Sequence, residues 1–187
     1  MVRAIMIALG LALLLGCQDP GRSAGHAGDV LTIYGDIGTV DRGPSRGTME
    51  PLFFANGIEF TAACVFSTAS LNSLEQHTIR VGYPLGTEAR RFSGPLLRDV
   101  LAIANPRGTH LTLTALDGYQ RTISLDQAQA HDVILATHVD GVAVGVGGYG
   151  PIVLIWPRDT DPALAGMDDA DWVWGLFAIE SVTPDDI

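Results

Sequence analysis

The sequence predicts a β-rich α+β domain with few short helices. Eight runs rich in Val, Ile, Thr and aromatic residues have the composition and length of strands. Two Asp-Gly dipeptides, Asp117-Gly118 and Asp140-Gly141, accept the positive φ angles that two-residue hairpin turns need. One stretch alone, which ends at Asn105, has apolar residues at clear helical spacing over several turns.

In chain order, the predicted strands span residues 30–37, 58–66, 77–82, 110–115, 119–125, 133–139, 152–156 and 173–182. In the fourth run Leu111 and Leu113 alternate with Thr112 and Thr114, which predicts a sheet with one solvent-exposed face. The last run is apolar on both faces, so we expect it at the centre of its sheet.

Two helices are predicted between these strands. In the first, Ser93 is the expected cap, Pro95 fits the first turn, and Asn105-Pro106 ends the helix. Its apolar stripe comprises Leu96, Leu97, Val100, Leu101 and Ala104. A shorter helix begins at Ser124, where Gln127 completes a capping box.

The N-terminus has the pattern of an export signal. Arg3 precedes an apolar run over residues 4–15 that is too short to span a bilayer. The run ends in Leu14-Leu15-Gly16-Cys17, which resembles the lipobox of bacterial lipoproteins. We therefore expect a signal peptide over residues 1–16, an acylated Cys17 held in membrane lipid, a flexible tether over residues 17–29 and one domain over residues 30–187. An ordinary signal peptide is the alternative.

The residue after the cysteine bears on the location. Gln18 stands where inner-membrane lipoproteins carry Asp, so the lipobox resemblance implies a periplasmic domain anchored to the outer membrane.

Composition excludes several classes of function. The formal net charge is −10 and all eleven basic residues are arginine. Without lysine, the P-loop and Schiff-base chemistry are excluded. An acidic surface repels phosphate backbones, so no nucleic-acid partner is expected.

Most short motifs have structural interpretations. The segment from Gly145 to Gly150 matches a dinucleotide fingerprint, but Pro151 and a strand follow it, so it is predicted to be a connection. The acidic residues between 159 and 171 lack calcium-site spacing and favour a solvated loop. The histidines show no metal-site spacing. Cys64 is expected to pack as a small apolar residue, with a reactive thiol as the alternative.

Three side chains are the candidates for a ligand cleft. Arg80 and Arg91, together with Arg90, flank a loop at residues 82–86, and arginine binds phosphate or carboxylate groups bidentately. The alternative is that these arginines pair with the protein's own acids. Tyr119, which follows the Asp117-Gly118 turn, is the third candidate.

From residue 30 to 182, the order of landmarks resembles the molybdopterin-binding oxidoreductase domain of the sulfite oxidase superfamily. The matching stretches are Phe92-Ser93-Gly94-Pro95-Leu96-Leu97, Asp99-Val100-Leu101, Ala115-Leu116-Asp117-Gly118-Tyr119, Asp132-Val133-Ile134-Leu135-Ala136, Asp140-Gly141, Gly150-Pro151-Ile152-Val153-Leu154-Ile155-Trp156-Pro157 and Trp172-Val173-Trp174. The resemblance implies the mixed-sheet fold of that superfamily.

The sequence departs from the family at its metal ligand. In catalytic members a cysteine after the strand that matches residues 78–83 ligates molybdenum, and this stretch contains no cysteine. Cys64 falls one strand too early. Phe92 stands for the family's tryptophan, and Val153 or its neighbours stand where the family has an arginine. A soft thiolate helps to set the metal's chemistry, so no bound metal is expected, although molybdopterin remains possible.

Three functions follow from these observations. The first is a non-catalytic envelope lipoprotein that binds a small ligand or partner in the former cofactor cleft, for example to signal to a membrane sensor. The second is a molybdopterin-dependent oxidoreductase whose metal is held by an oxygen ligand or by Cys64. The third is a structural or interaction module with a filled core. The single arginine of the signal, without a twin-arginine pair, counts against cofactor loading before export.

Overall fold

Eleven strands and four short helices form between residues 28 and 184, the part of the chain that this computed structural model describes. The strands are β1 (Asp29–Gly35), β2 (Ala63–Ser67), β3 (His77–Gly82), β4 (Ala89–Gly94), β5 (His110–Ala115), β6 (Gln120–Ser124), β7 (Ile134–Ala136), β8 (His138–Val139), β9 (Val142–Ala143), β10 (Val153–Ile155) and β11 (Leu176–Val182). The helices are α1 (Pro51–Ala55), α2 (Thr68–Ser73), α3 (Leu97–Ala104) and α4 (Leu125–Ala130). The signal peptide and Cys17 lie outside the described residues, so they stay predictions.

A mixed five-stranded sheet forms one layer, in the order β2-β1-β11-β5-β6. β1 and β11 pair in parallel, and the other neighbours pair antiparallel. The central position predicted for the last strand is confirmed, because β11 lies between β1 and β5. The β-rich α+β class with a mixed sheet and few short helices is likewise confirmed.

A second layer holds the antiparallel sheet β3-β4-β8-β9 and the pair β10-β7. Both predicted hairpins are present, between β5 and β6 and between β8 and β9. Gly118, Asp140 and Gly141 have φ angles of 88°, 49° and 81°. These positive φ values are the ones expected of Asp-Gly hairpin turns.

Within the second layer, β4 and β7 approach each other closely at Gly94, the last residue of β4. A Cβ atom built on Gly94 would lie 2.0 Å from the carbonyl oxygen of Leu135 in β7. The backbone amide of Leu135 donates to the carbonyl of Pro95 at 2.9 Å. Only glycine permits this approach of two backbones.

α3 has the predicted apolar stripe but not the predicted cap. Its stripe is fully buried, and Asn105 ends it in a left-handed conformation with φ 54°. Ser93 does not cap the helix, because it lies in β4, a strand that the sequence did not predict, and pairs there with Thr78. The N-cap is Leu96.

At α4 the predicted cap is present, since the Ser124 side chain accepts from the Gln127 amide. α1 and α2 were not predicted. No helix within residues 28–184 has both the length and the apolar character needed to cross a membrane.

Three predicted strands differ from the structure by three or more residues at one end or are divided. The run at residues 58–66 becomes extended strand only from Ala63. The run at 133–139 divides at Thr137 into β7 and β8, which join different sheets. The Thr137 hydroxyl donates to Asn72 Oδ1 at 3.0 Å. The last strand begins at Leu176 because Gly175, with φ 67°, interrupts the extended backbone.

The main core lies between the layers and is lined by β1, β5, β11, α3, β7 and β10. A second, smaller apolar cluster covers the other face of the mixed sheet and includes Tyr34, Phe60 and Phe177. Thr114 lies on that face beside Ala178 of the cluster, and it is buried. The prediction of a solvent-exposed face along the whole of β5 was therefore wrong at this end.

Candidate functional site

Arg80 and Arg91 lie directly opposite each other on β3 and β4, and both are exposed. Opposite residues of an antiparallel pair project from the same face, with Cβ atoms about 5 Å apart. The ion pairs within residues 28–184 leave both guanidinium groups without an acidic partner. Two adjacent, unpaired cations repel each other, and a bound anion would relieve that repulsion.

Arg90 behaves differently from its neighbours. Its Nε donates to Asp140 Oδ2 at 2.9 Å, while the backbone amide of Arg91 donates to Asp140 Oδ1 at 2.9 Å. The bond from the Arg91 amide, followed by the bond from Arg90, lowers the pKa of the Asp140 carboxyl. The expectation that these arginines pair with acids therefore holds for Arg90 alone.

Tyr119 follows the β5–β6 turn, where its amide donates to Asp117 Oδ1 at 3.0 Å. Its hydroxyl donates to the carbonyl of Ala170 at 2.7 Å, and its side chain is partly exposed. No hydrogen bond within the described residues joins it to Arg80 or Arg91. The structure thus brings the two arginines together, and the three-residue cleft stays a prediction.

The segment after β3 is filled by stacked aromatic rings. The ring of Tyr83 stacks on that of Trp172, with centroids 4.8 Å apart, and both residues are buried. Tyr149 and Phe92 pack on Tyr83 at 5.7 and 6.3 Å. Burial, with a smaller contribution from Asp169, raises the pKa of the Tyr83 hydroxyl, which therefore stays protonated.

Arg158 contacts both this aromatic cluster and the end of β3. Its guanidinium lies 4.5 Å from the ring centroid of Trp172. Nη2 donates to the carbonyl of Gly82 at 2.6 Å, and Nη1 donates to Asp169 Oδ1 at 2.7 Å. The side chain is only 4% exposed, so the charge depends on these partners.

The acidic loop over residues 159–171 was predicted to be solvated, but its carboxylates form bonds within the protein. Four of its carboxylates bind other parts of the protein: Asp159 accepts from the Gly82 amide, Asp161 bonds His131, Asp169 accepts from the Leu85 amide, and Asp171 pairs with Arg121. Asp168 accepts from the Ala170 amide within the loop. The bonds to Gly82 and Leu85 form because the loop packs against the end of β3 and the segment that follows it. Among residues 28–184, no three His, Cys, Asp or Glu side chains form a group suited to a metal ion.

Cys64 lies in β2 opposite Ile33, and it is 2% exposed. Burial, assisted by the nearby charge of Asp41, raises the pKa of its thiol to about 12. The interpretation of Cys64 as a small packed apolar residue agrees with this environment, and a reactive thiol does not.

The fold is shared with a solved structure. The chain is similar to the sulfane dehydrogenase SoxCD from Paracoccus pantotrophus, with a TM-score of 0.54 and 17% sequence identity. The match covers 82% of this chain and 38% of that chain, so the similarity concerns the fold of one part of a longer protein. No curated protein matches the sequence.

Residues 49–176 match the family model of the oxidoreductase molybdopterin binding domain. The chain belongs to this family, and the sulfite-oxidase-type resemblance is confirmed.

The residues present do not fit the metal centre of the cofactor. The resemblance places the metal-ligating cysteine of catalytic members just after the strand that matches β3. Here that segment contains Tyr83, whose ring is stacked on Trp172. The one thiol of the described residues, Cys64, is buried in another strand and protonated at neutral pH. A soft thiolate ligand is therefore not supplied.

Sequence reasoning missed Tyr83, Arg158 and Trp172. Arg158 follows a predicted apolar strand and precedes an acidic loop. This position between apolar and acidic residues was the one sequence signal of a buried ion pair. Its bond to Gly82 spans 76 positions, and no local pattern predicts such a contact.

Proposed function

We propose that this protein is a non-catalytic member of the molybdopterin-binding oxidoreductase family. It is an exported lipoprotein whose domain binds a small anionic ligand, or an acidic site of a partner, on the β3–β4 face. The observation that carries the proposal is the filling of the segment after β3 by the stacked rings of Tyr83 and Trp172.

Three contacts support the loss of catalysis. The Tyr83–Trp172 stack is held by Arg158, which is itself bonded to Gly82 and Asp169. Placing a metal centre beside Gly82 would require this buried ion pair to open, and breaking a buried pair costs about 3–5 kcal/mol. The alternative ligand Cys64 would have to leave the main core and lose its proton.

The charges of Arg80 and Arg91 support the binding role. The two residues are adjacent on one face of a protein with a formal net charge of −10, and neither guanidinium forms an ion pair with an acid of residues 28–184. Guanidinium groups at this spacing suit a phosphate or carboxylate group. Phosphate titration should give saturable NMR shifts in β3 and β4, and their persistence in an Arg80→Ser/Arg91→Ser variant would contradict this role.

The envelope location rests on the N-terminal sequence. An apolar run ending in Leu15-Gly16-Cys17 supports acylation at Cys17, and β1 begins twelve positions later at Asp29. Metabolic labelling with a radioactive fatty acid should label the chain, and Cys17→Ser should abolish that label. Undiminished labelling of the variant would remove the proposed anchor.

The deciding experiment is molybdenum and pterin analysis of the mature protein from membranes of its native host. We expect neither component in stoichiometric amount. Molybdenum at about one atom per chain would overturn the proposal and favour an oxidoreductase with an atypical metal ligand. A Cys64→Ala variant would then show whether that ligand is the buried thiol.

A further inference from the structure

A polar surface, the β3–β4–β8 face, extends across three strands of the second layer. Arg80 lies opposite Arg91, Thr78 lies opposite Ser93, and Ser93 lies opposite His138 of β8. Opposite residues project from the same face, and so do residues two positions apart on one strand. The five side chains therefore share one face. The residues that alternate with them are buried on the other face: Ile79, Phe92 and Val139.

The spacing of the strands sets the size of this face. Neighbouring strands lie about 4.8 Å apart, and every second residue of a strand is about 7 Å further along. The arginine pair thus lies one step along the strands from Thr78 and Ser93, and His138 lies beside Ser93. An anion bound by the arginines has this second row of polar side chains within reach.

The two hydroxyl groups of the second row share one hydrogen bond. Thr78 Oγ1 and Ser93 Oγ lie 2.8 Å apart, so one hydroxyl donates to the other. The hydrogen of the accepting hydroxyl is not used in that bond, and it can point to a ligand. The pair therefore offers one donor beside the arginines.

His138 has one ring nitrogen left for a ligand. The Thr137 hydroxyl donates to Asn72 Oδ1, so its oxygen accepts from His138 Nδ1 at 2.9 Å. Within residues 28–184 no hydrogen bond engages Nε2. At Nε2 the neutral ring accepts from a phosphate hydroxyl, and the protonated ring donates to a phosphate oxygen. A carboxylate is ionised near neutral pH and offers the neutral ring no hydrogen.

Asp140 borders the face without cancelling the charges of the arginine pair. Its carboxylate accepts from Arg90 Nε and from the backbone amide of Arg91, both at 2.9 Å. Because Arg90 balances the charge of Asp140, the guanidinium groups of Arg80 and Arg91 keep two positive charges for a ligand. A dianion matches that charge.

We propose that the β3–β4–β8 face binds the phosphate group of a small phosphate monoester. The inference rests on the proposed anion-binding role of Arg80 and Arg91, and it adds the class of ligand. A phosphate monoester has three oxygens besides its ester oxygen. Two of them bind the arginine pair, and the third lies over Ser93 and His138. A carboxylate has two oxygens, and the arginine pair engages both.

The test uses the chain from residue 17 with Cys17→Ser, titrated near neutral pH and at constant ionic strength. The probes are methyl phosphate, dimethyl phosphate and acetate, and the NMR shifts of the Arg80 and Arg91 amides report binding. We expect methyl phosphate to bind at least about tenfold more tightly than the other two probes.

Two variants separate the second row from the charge of the arginines. Thr78→Val/Ser93→Ala and His138→Gln should each weaken methyl phosphate binding about tenfold and leave acetate binding unchanged. A general loss of structure would weaken both probes alike.

β5 and β6 provide matched controls. Thr112 and Thr122 lie opposite each other with hydroxyl oxygens 3.2 Å apart, as in the pair of the second row. His110 lies opposite Ser124, and its Nδ1 is 2.9 Å from the hydroxyl of the preceding Thr109. We expect Thr112→Val/Thr122→Val and His110→Gln to leave the binding of both probes unchanged.

The possible failures are distinguishable. If no probe gives saturable shifts in β3 and β4, both this inference and the proposed anion-binding role are wrong. If acetate or dimethyl phosphate binds as tightly as methyl phosphate, this inference alone is overturned. An unchanged ratio of methyl phosphate to acetate affinity in either second-row variant would also overturn it, while the anion-binding role would stand.

Discussion

Replacing Arg158 by alanine removes the charge that connects the end of β3 to the acidic loop. The change deletes the bonds from Nη2 to Gly82 and from Nη1 to Asp169 and Met167. It also removes the cation from the ring of Trp172. We therefore expect both a loss of stability and a local change at Tyr83, whose ring rests on Trp172.

The size of the loss follows from burial. Removing one partner of a buried ion pair costs about 3–5 kcal/mol, because the other charge is left without compensation. The Asp169 side chain is 28% exposed, and its second oxygen keeps the bond to the Leu85 amide. Water and that amide compensate part of the loss, so we expect the lower end of the range, about 3 kcal/mol.

Urea unfolding followed by far-UV circular dichroism measures this loss. With a slope of about 2 kcal/mol per molar urea, the midpoint should fall by about 1.5 M. Arg121→Ala is the control, because the Arg121–Asp171 pair has side chains that are 44% and 21% exposed. Its cost should stay below about 1 kcal/mol. If Arg158→Ala cost no more than Arg121→Ala, the inference that Arg158 secures the end of β3 would be wrong.

Two further predictions concern Cys64 and Gly94. In a Cys17→Ser chain, the Cys64 thiol should not react with Ellman's reagent at pH 8 until urea unfolds the protein, because its pKa is raised to about 12; rapid reaction of the folded chain would contradict this. The buried thiol stays protonated in the folded state, so its contribution to stability is fully present below the ordinary pKa of 9.0 and is lost as pH rises from 9.0 towards 12. A Cys64→Ala variant should therefore show a weaker decline of unfolding free energy between pH 9.0 and 12. Gly94→Ala should cost at least about 3 kcal/mol in urea unfolding, because its Cβ would meet the Leu135 carbonyl, whereas Gly145→Ala, with nothing within 4 Å, should be neutral. Equal stability of these two variants would refute the close approach.

Much of the fold could be predicted because its signals are local. The Asp117-Gly118 and Asp140-Gly141 dipeptides predict their turn conformation, and the spacing of apolar residues in α3 predicts its buried face. β3 and β5 have the predicted bounds. β4 was missed because Arg90, Arg91 and Ser93 lack an apolar alternation, and its pairing with β3 and β8 compensates for that weak preference.

The candidate sites were harder to predict, because their contacts are distant in sequence. Arg80 and Arg91 became neighbours through the register of a strand that was not predicted. Arg158 meets Gly82 and Trp172 only in the folded chain, and its bond to Gly82 spans 76 positions.

The proposed function requires the fold to be stable without a cofactor. A cofactor that is bound at a buried segment contributes to stability, and losing it leaves polar backbone and a cavity. In this chain Arg158 satisfies the Gly82 carbonyl, Asp159 accepts from the Gly82 amide, and the Tyr83–Trp172 stack fills the space beside them. Under the proposed function, these contacts supply from within the chain what a bound cofactor would supply from outside. We therefore expect the end of β3 to be stable without a ligand, while Arg80 and Arg91 bind an anion on the β3–β4 face.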